Sequence, residues 1–591
     1  MVSQMAETKN KKPVIGRILR YTKPCAALVA PAVTAAVVSV LLSLYTPVLV
    51  GRGIDYIIGK NNVDFAGVKH YVLMIAVTVA LSALFSWVMS YCTYKITYRA
   101  VSDMRCELYE KLNNVPLNYI DSTSRGDIIA RMSVDIETVS DGMLQCFSQF
   151  LTGIVTIFGT IAFMLRINVK IALVVIFITP LSLFVAAFIT KLCHDKFREQ
   201  SAVRGELSGC IEELVGGQKI VKAFSYEDRA QERFEEINGR LYKCGVLAQF
   251  YSALTNPCTR FVNGIVYAAA GIFGAISVIS GGPMSVGQIS AFLSYANQYT
   301  KPFNEITGVI TELQAAFASA RRVFAVLDEA EEVPEKEPPA PAVADGNVEI
   351  KNVTFSYKPE QKLLENVTVS VKKGQRAAIV GPTGCGKTTL INLLMRFYDV
   401  REGAIEVGGE DIRNMRRSEL RAMYGMVLQD TWIYTGTIRE NIAYGKPDAT
   451  EEEIIAAAKM CHCHSFIRRM PDGYDTIVSE DGGNLSQGQK QLLCICRVML
   501  TNPPMLILDE ATSSIDTRTE LKIQSAFAKL MKGKTSFIIA HRLSTIRDAD
   551  VILVMKDGNI IEQGNHESLL EKGGFYANLY NSQFDRGIPA G

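Results

Sequence analysis

Long stretches without a single charged side chain constrain this chain more than any other feature. No Asp, Glu, Lys or Arg occurs from Pro24 to Val50, Tyr71 to Tyr94, Gly142 to Leu165 or Ile171 to Thr190. A further stretch, Phe261 to Thr300, is longer still and is divided by Gly281-Gly282-Pro283. A helix rises about 1.5 Å per residue, so about 20 residues cross a hydrocarbon layer of about 30 Å. Each run is long enough. Six membrane spans are expected, at about 24–50, 71–94, 140–165, 168–190, 258–280 and 285–310. The competing arrangement, a soluble fold, would have to bury six such helices in one half of the chain.

Composition describes a mixture. Of 591 residues, 48% are apolar, and 62 basic side chains stand against 60 acidic ones. A net charge of +2 excludes a nucleic-acid binder driven by bulk charge, and the apolar content excludes a disordered chain. Mean hydropathy of +0.14 is high for a soluble protein and low for a purely membrane one. The 13 cysteines show no framework spacing, so no disulfide scaffold is expected and a reducing interior suits them. The polar, Lys-rich start carries no visible secretory signal.

An even number of spans puts both termini on one side. Lys95 to Val139 carries six Lys/Arg and Lys191 to Lys243 carries ten, whereas Arg52 to Lys69 holds three and Arg166 to Lys170 two. The basic loops are expected in the cytoplasm. They are too long for turns and too rich in helix formers for disorder, so the spans should continue there as helices. Val14, Ile15, Ile18 and Leu19 beside Arg17 and Arg20 suggest a short helix on the inner membrane face. Residues 1–328 form the expected transmembrane domain, and the acidic, Pro-rich stretch 329–345 a linker. In 346–591, short apolar strands alternate with helical patterns, as in an α/β domain.

That domain carries a nucleotide site in pieces. Gly381, Pro382, Thr383, Gly384, Cys385, Gly386, Lys387 and Thr388 follow the apolar strand 377–380 and open a helix at Thr389. This is a P-loop in its required strand–loop–helix context. Its backbone N–H groups and the helix N-terminus suit phosphate. Lys387 should reach the β/γ-phosphates, and the Thr388 hydroxyl Mg²⁺. Met505 to Leu508 is an apolar strand ending in Asp509 and Glu510. Two carboxylates at the mouth of a buried strand are costly without a cation and a reacting water. Asp509 is placed for Mg²⁺ and Glu510 for the attacking water. Asn484 to Gln489 precedes a further helical stretch.

Together these segments resemble the ATP-binding cassette, and the six spans ahead of them an exporter half-transporter. The resemblance covers essentially the whole chain. It implies an α-helical six-span transmembrane domain plus an α/β P-loop nucleotide-binding domain with a helical subdomain, using ATP and Mg²⁺. Tyr357 resembles the aromatic that stacks on adenine, and Gln429 the lid glutamine that senses Mg²⁺ and the γ-phosphate. Ser486, Gln487, Gly488 and Gln489 match the signature loop, which caps the ATP held by the opposite subunit. Asp516 matches the loop crossing between sites, and His541 the switch histidine contacting the γ-phosphate and Glu510. The usual signature is Leu-Ser-Gly-Gly-Gln; here Gln487 replaces the first glycine. With the following KQLL and SSIDTRTE, the variant looks like the catalytically complete member of bacterial heterodimeric exporters, homodimer remaining open. Residues 116–123 and 221–228 match the coupling segments.

The expected activity is ATP-driven export of hydrophobic or amphipathic compounds, multidrug in type, from the cytoplasm across the inner membrane. The expected partners are a second half-transporter and the lipid bilayer, with no nucleic acid. A lipid flippase or peptide exporter of the same fold is the alternative, the latter disfavoured by the lack of a protease-sized region before span one. An ATP-gated channel or regulatory module is a different class, disfavoured because every catalytic position is kept. Gln145, Gln149, Asn263, Asn297 and Gln298 could line a cavity or satisfy neighbouring helices; Glu305 and Arg260 stand near inner span ends. The cluster Cys461-His462-Cys463-His464 is expected on a helix, where adjacent side chains diverge by about 100° and cannot converge on a metal. Cys494 and Cys496 are expected as helix packing, and Cys385 as a small side chain turned from phosphate.

Overall fold

The computed structural model describes residues 14–57, 63–280, 284–340, 345–358, 361–429, 431–479, 483–509, 515–539 and 547–584. The chain divides into two compact units, Met1–Asn113 with Arg125–Glu329, and Asn114–Ser124 with Ala330–Gly591.

Among its described residues the first unit is helical, with short connections. Among the described residues, Val14–Asp55, Phe65–Asn114, Arg125–Ile167 and Glu227–Ile279 are long and apolar enough to cross a membrane. Phe65–Asn114 has 50 residues and Glu227–Ile279 has 53. At about 1.5 Å per residue each exceeds twice a hydrocarbon layer of about 30 Å, so each carries an apolar and a polar portion. Leu73, Val77, Leu81, Leu84 and Trp87 are exposed on the apolar portion of the first, the inverse of a soluble helix. In the polar portions, Arg233–Glu213 and Arg240–Glu206 ion pairs join Glu227–Ile279 to Pro180–Gly216.

One element differs from expectation in detail. The stretch expected as span four is two helices, Val169–Ile178 and Pro180–Gly216. Proline lacks the N–H that would continue the first and is well suited to open the second. The helix Val286–Leu327 starts at a capping box of Ser285 and Gln288. Asp55 reinforces that start, accepting from the Ser285 hydroxyl at 2.7 Å and the Gly287 N–H at 2.8 Å. The amphipathic segment Val14–Thr22 is helical, and Arg17 pairs with Asp328 while lying over the Phe324 ring.

Among the described residues the second unit has three sheets. Its strands are β1 (Val348–Phe355), β2 (Leu364–Val371), β3 (Arg376–Val380), β4 (Glu402–Val407), β5 (Glu410–Asp411), β6 (Tyr424–Val427), β7 (Gly436–Thr437), β8 (Ile477–Val478), β9 (Met505–Asp509), β10 (Thr535–Ile539), β11 (Val551–Lys556) and β12 (Asn559–Gly564). The largest sheet runs β12-β11-β3-β10-β9-β6, parallel except for β12. Its inner strands are continuous apolar runs because helices cover both faces. A sheet in the order β2-β1-β4-β5 stands beside it, and β7-β8 is a short ribbon near the helices of a subdomain.

Two segments outside residues 346–591 pack with this unit. The short helix Leu117–Ser122 clusters with the second unit, and the Tyr398 hydroxyl donates to Asp121. The acidic stretch after Glu329 is strapped down rather than free. Arg417, whose side chain is only 10% exposed, donates to the Val333 carbonyl and pairs with Glu332, and its N–H donates to Glu335. Lys336 and the Ala340 N–H extend the strap by bonding Asn414.

Candidate functional site

The parallel register of the large sheet assembles the site. Ile539 aligns with Ile379 on one side and with Asp509 on the other, while Val427 aligns with Leu508. The carboxyl ends of β3, β10, β9 and β6 therefore share one edge. The loop after β3, Asp509 on β9 and Gln429 two residues beyond β6 lie along that edge, where α/β sheets bind ligands. Glu510 and His541 follow β9 and β10 in sequence, and both lie outside the described residues.

Gly386 sits at φ +99°, a left-handed value that costs glycine nothing, and it begins the helix Lys387–Leu394. The Lys387 ammonium folds back over the loop, donating to the carbonyls of Gly381 at 2.8 Å and Pro382 at 2.9 Å. This closes the loop around the helix N-terminus, where N–H groups and the helix dipole favour an anion. Cys385 points inward and is packed in the hydrophobic core with Leu390. Thr389 is buried, and its hydroxyl accepts from Tyr357, which also receives the Asn392 amide. Tyr357 remains partly exposed beside the loop and stands edge-on to Phe355 and Tyr398. Burial, with the Asp121 carboxylate, pushes the Tyr398 phenol up.

The segment Ser486–Gln489 is a helix start. The Ser486 hydroxyl accepts the Gln489 N–H, and the Gln489 side chain accepts the Ser486 N–H at 2.8 Å. Gln487, the departure from the usual glycine, donates to Thr431 at 3.2 Å, tying this helix to the segment after Gln429. Gly488 is needed for packing: a Cβ there would stand 2.5 Å from Thr519 Cγ2. Asp516 caps the next helix, Thr517–Met531, by accepting the Thr519 N–H, and that bond holds its carboxyl below the usual value. Gly488 thus packs on Thr519, whose N–H the exposed Asp516 caps, while Ser486 stays exposed at the helix start.

Arg497, which sequence reasoning missed, is the hub of the helical subdomain. It donates to both the backbone carbonyl and the side chain of Asn441 at 2.6 Å and to the Trp432 carbonyl at 2.7 Å. It also lies over the rings of Trp432 and Tyr444.

The Cys461–His464 cluster is a turn rather than a helix. Glu451–Met460 ends before it, His462 takes φ +61°, and a short helix begins at His464. Cys461 and Cys463 enter the apolar core with Cys496, whereas His462 meets Ser525 and His464 meets Tyr474. Hydrogen bonding with Cys496, then burial, raises the Cys461 thiol. Among the described residues no group of three or more His, Cys, Asp or Glu is arranged for a metal ion. Cys494 is half-buried, with its thiol near the Trp432 carbonyl.

In the helical unit, Gln149 and Gln298 line a cavity of about 440 Å³. Gln145 and Asn263 each bury a side-chain oxygen without a hydrogen-bond partner among the described residues. Asn297 and Arg260 are exposed, and the Glu305 side chain lies outside the described set. Lys301, absent from the sequence-based candidates, also lines the cavity. Its signal was available: it is the first charge after the uncharged run 261–300.

Comparison with known proteins agrees with both units. Residues 29–303 match the ABC transporter transmembrane region and residues 364–513 the ABC transporter family. The chain is 43% identical to a fatty acid ABC transporter ATP-binding/permease protein of Mycobacterium bovis, over 89% of this chain and 83% of that protein. It is 33% identical to an ATP-dependent lipid A-core flippase of Syntrophus aciditrophicus, over 98% of this chain and 96% of that protein. A bacterial Atm1-family ABC exporter with ATP bound superposes with a TM-score of 0.76 at 28% identity, covering 96% of this chain and all of that one. The chain belongs to the ABC transporter family. Within it, this is a multi-pass membrane half-transporter of the exporter type, with a transmembrane region fused to an ATP-hydrolysing cassette that drives transport.

Proposed function

We propose that this half-transporter pairs with a second one and moves hydrophobic or amphipathic compounds, multidrug in type, out of the cytoplasm by alternating access. The transmembrane domain is 1–328 with six spans and the cassette 346–591, joined by 329–345; both termini and the cassette lie in the cytoplasm at the inner membrane. The observation that carries the reading is the single P-loop and single signature helix in the chain. If the signature acts on the opposite subunit's ATP, one chain makes only half of each site. ATP then holds two cassettes together, and its hydrolysis releases them, biasing a two-state membrane domain. The partner is proposed as a different chain with a degraded Walker B carboxylate. A second reading, a lipid flippase, is favoured by the lipid substrates named for two relatives.

The residues divide the chemistry. Tyr357 offers a ring face to adenine while Thr389 and Asn392 hold its hydroxyl. Lys387 exchanges its two loop carbonyls for phosphate oxygens, trading neutral acceptors for charged ones. The Thr388 hydroxyl, Gln429 amide oxygen and Asp509 carboxylate are hard oxygen donors at one sheet edge, a set that fits Mg²⁺. Bound there, Mg²⁺ would neutralise developing phosphate charge. Glu510 orients and deprotonates the attacking water, and His541 holds the γ-phosphate. Ser486 and the N–H groups of Gln487, Gly488 and Gln489 face the ATP of the partner, while Asp516 borders that crossing.

Glu510→Gln tests the assignment. In the purified dimer it should keep ATP binding and lose hydrolysis by on the order of 10²-fold or more. Turnover equal to that of the unaltered dimer would reject it. Co-purification of differently tagged copies of this chain would favour the homodimer.

A further inference from the structure

We propose that the apolar cavity beneath the helix Val14–Thr22 holds an acyl chain of an anionic phospholipid, whose head Arg20 and Lys23 bind. Such a site requires only the membrane helices, whatever the cargo or the direction of transport. The cavity, about 140 Å³, has Ile15, Ile18 and Leu19 as one wall and Met143, Phe147 and Phe317 as another. No charged or amide side chain is among the described residues that line it. Thr22, which adds a hydroxyl, donates it to the Leu19 carbonyl at 2.9 Å. A Cβ at Gly142 would collide with that of Ala316, so the helices Ile136–Gln145 and Val286–Leu327 approach closely there, and the cavity is the notch beside that contact. An apolar void of about 150 Å³ stays dry and takes a benzene-sized guest. This one therefore suits the end of a single acyl chain. Ile15 and Leu19 are 54% and 55% exposed, so the cavity opens along the helix rather than being sealed by it.

The chain alone selects no lipid, because bilayer hydrocarbon is as apolar as the cavity. The head decides. From Lys9 to Lys23 the sequence holds six basic side chains and no acidic one. Arg17 is committed to the fold: it pairs with Asp328 at 2.7 Å and lies over the Phe324 ring, on which Tyr21 also stacks. These contacts hold the helix beside the last turn of Val286–Leu327, the end from which the chain runs on into the second unit. Arg20 and Lys23 are exposed on the same segment. An amphipathic helix lying in the interface keeps its basic side chains at head-group level while its apolar face reaches the acyl boundary. Each basic side chain near an anionic surface contributes a factor of about five in binding. One lipid then meets both demands, with a chain in the cavity and its phosphate at Arg20 and Lys23. A zwitterionic head carries its own cation and gains less.

The test uses the full-length dimer in phosphatidylcholine nanodiscs. The probes are a phosphatidylglycerol and a phosphatidylcholine, each with a photoreactive diazirine at the end of one acyl chain. Crosslinks are mapped by mass spectrometry. Phosphatidylglycerol should label Met143, Phe147 or Phe317 on the order of tenfold more than phosphatidylcholine does. Around Leu84, exposed on Phe65–Asn114, the two probes should label alike. Arg20→Gln combined with Lys23→Gln should bring the cavity labelling by the two probes within about twofold. Cys146→Phe, which fills the cavity, should remove that labelling for both; the charge variant leaves the cavity intact and decides the matter if Cys146→Phe does not assemble. No chain label in the cavity overturns the proposal, and that is the result if the partner subunit or residues 1–13 fill it. A phosphatidylglycerol preference no greater than that around Leu84, or one unchanged in the double variant, overturns it equally.

Discussion

A methyl group added at Gly488 would stand 2.5 Å from Thr519 Cγ2 and 3.2 Å from Ile515 Cγ2. Well-packed interiors do not absorb such a contact without backbone movement, at a cost of about 1–3 kcal/mol. Gly488→Ala should therefore lower the thermal unfolding midpoint of the cassette. Thr519→Ser removes the opposing methyl and should restore most of the loss in the double variant. No restoration would show that the Thr519 methyl is not the contact that demands glycine there. Gln487 illustrates a different use of a residue. Its amide reaches Thr431, so it adds a link between the helix Gln487–Thr501 and the segment after Gln429 that a glycine could not make.

Between elements, the polar ends of the long helices combine ion pairs with buried apolar residues such as Leu108, Ile136 and Val323. Asp135 lies in a π-helical turn, Arg131–Asp135, and accepts two bonds from Arg322 on the helix Val286–Leu327. Its side chain is 7% exposed, and that of Arg322 51%. The bond from Arg322 holds the Asp135 carboxyl below its ordinary value of 3.8. A depressed carboxyl stabilises the fold above its unfolded value and loses that contribution as pH falls through the folded one. Asp135→Asn should cost about 1–2 kcal/mol at pH 7, after allowance for the solvent around Arg322. The difference between variant and parent should shrink below about pH 4. Unfolding midpoints across that range check it; a difference constant with pH would show that charge is not the cause.

For the molecule as a transporter, two aromatic surfaces stand exposed among the described residues. Phe224 is 79% exposed at the tip between Gln218–Ala223 and Glu227–Ile279, next to Tyr226. Trp432, Tyr434 and Tyr444 form an exposed aromatic group on the cassette, braced beneath by Arg497. Aromatic anchors in pockets carry much of the energy of protein interfaces. If the tip around Phe224 docks on the partner's cassette, Phe224→Ala should lower transport per ATP hydrolysed by about tenfold while ATP binding persists. Paired measurements of vesicle uptake and ATPase rate read that ratio. An unchanged ratio would remove this segment from the coupling path.

Periodicity, missing charge and short local motifs carry their message in consecutive residues. The helices of the membrane region, the P-loop after β3 and the helix start at Ser486 were therefore legible from the sequence, because local backbone preference and hydropathy decide them. The long-range partners were not. Arg417 strapping an acidic Pro-rich stretch, Tyr398 meeting Asp121, and Gly488 against Thr519 join residues that share no local pattern. The cysteine cluster shows the same limit from the other side: its helical spacing was local, but a left-handed turn at His462 broke it and core burial decided where the thiols went. Lys301 combines both cases. Its charge was visible at the end of an apolar run, while only packing shows that hydroxyls and amides from two other segments gather around it.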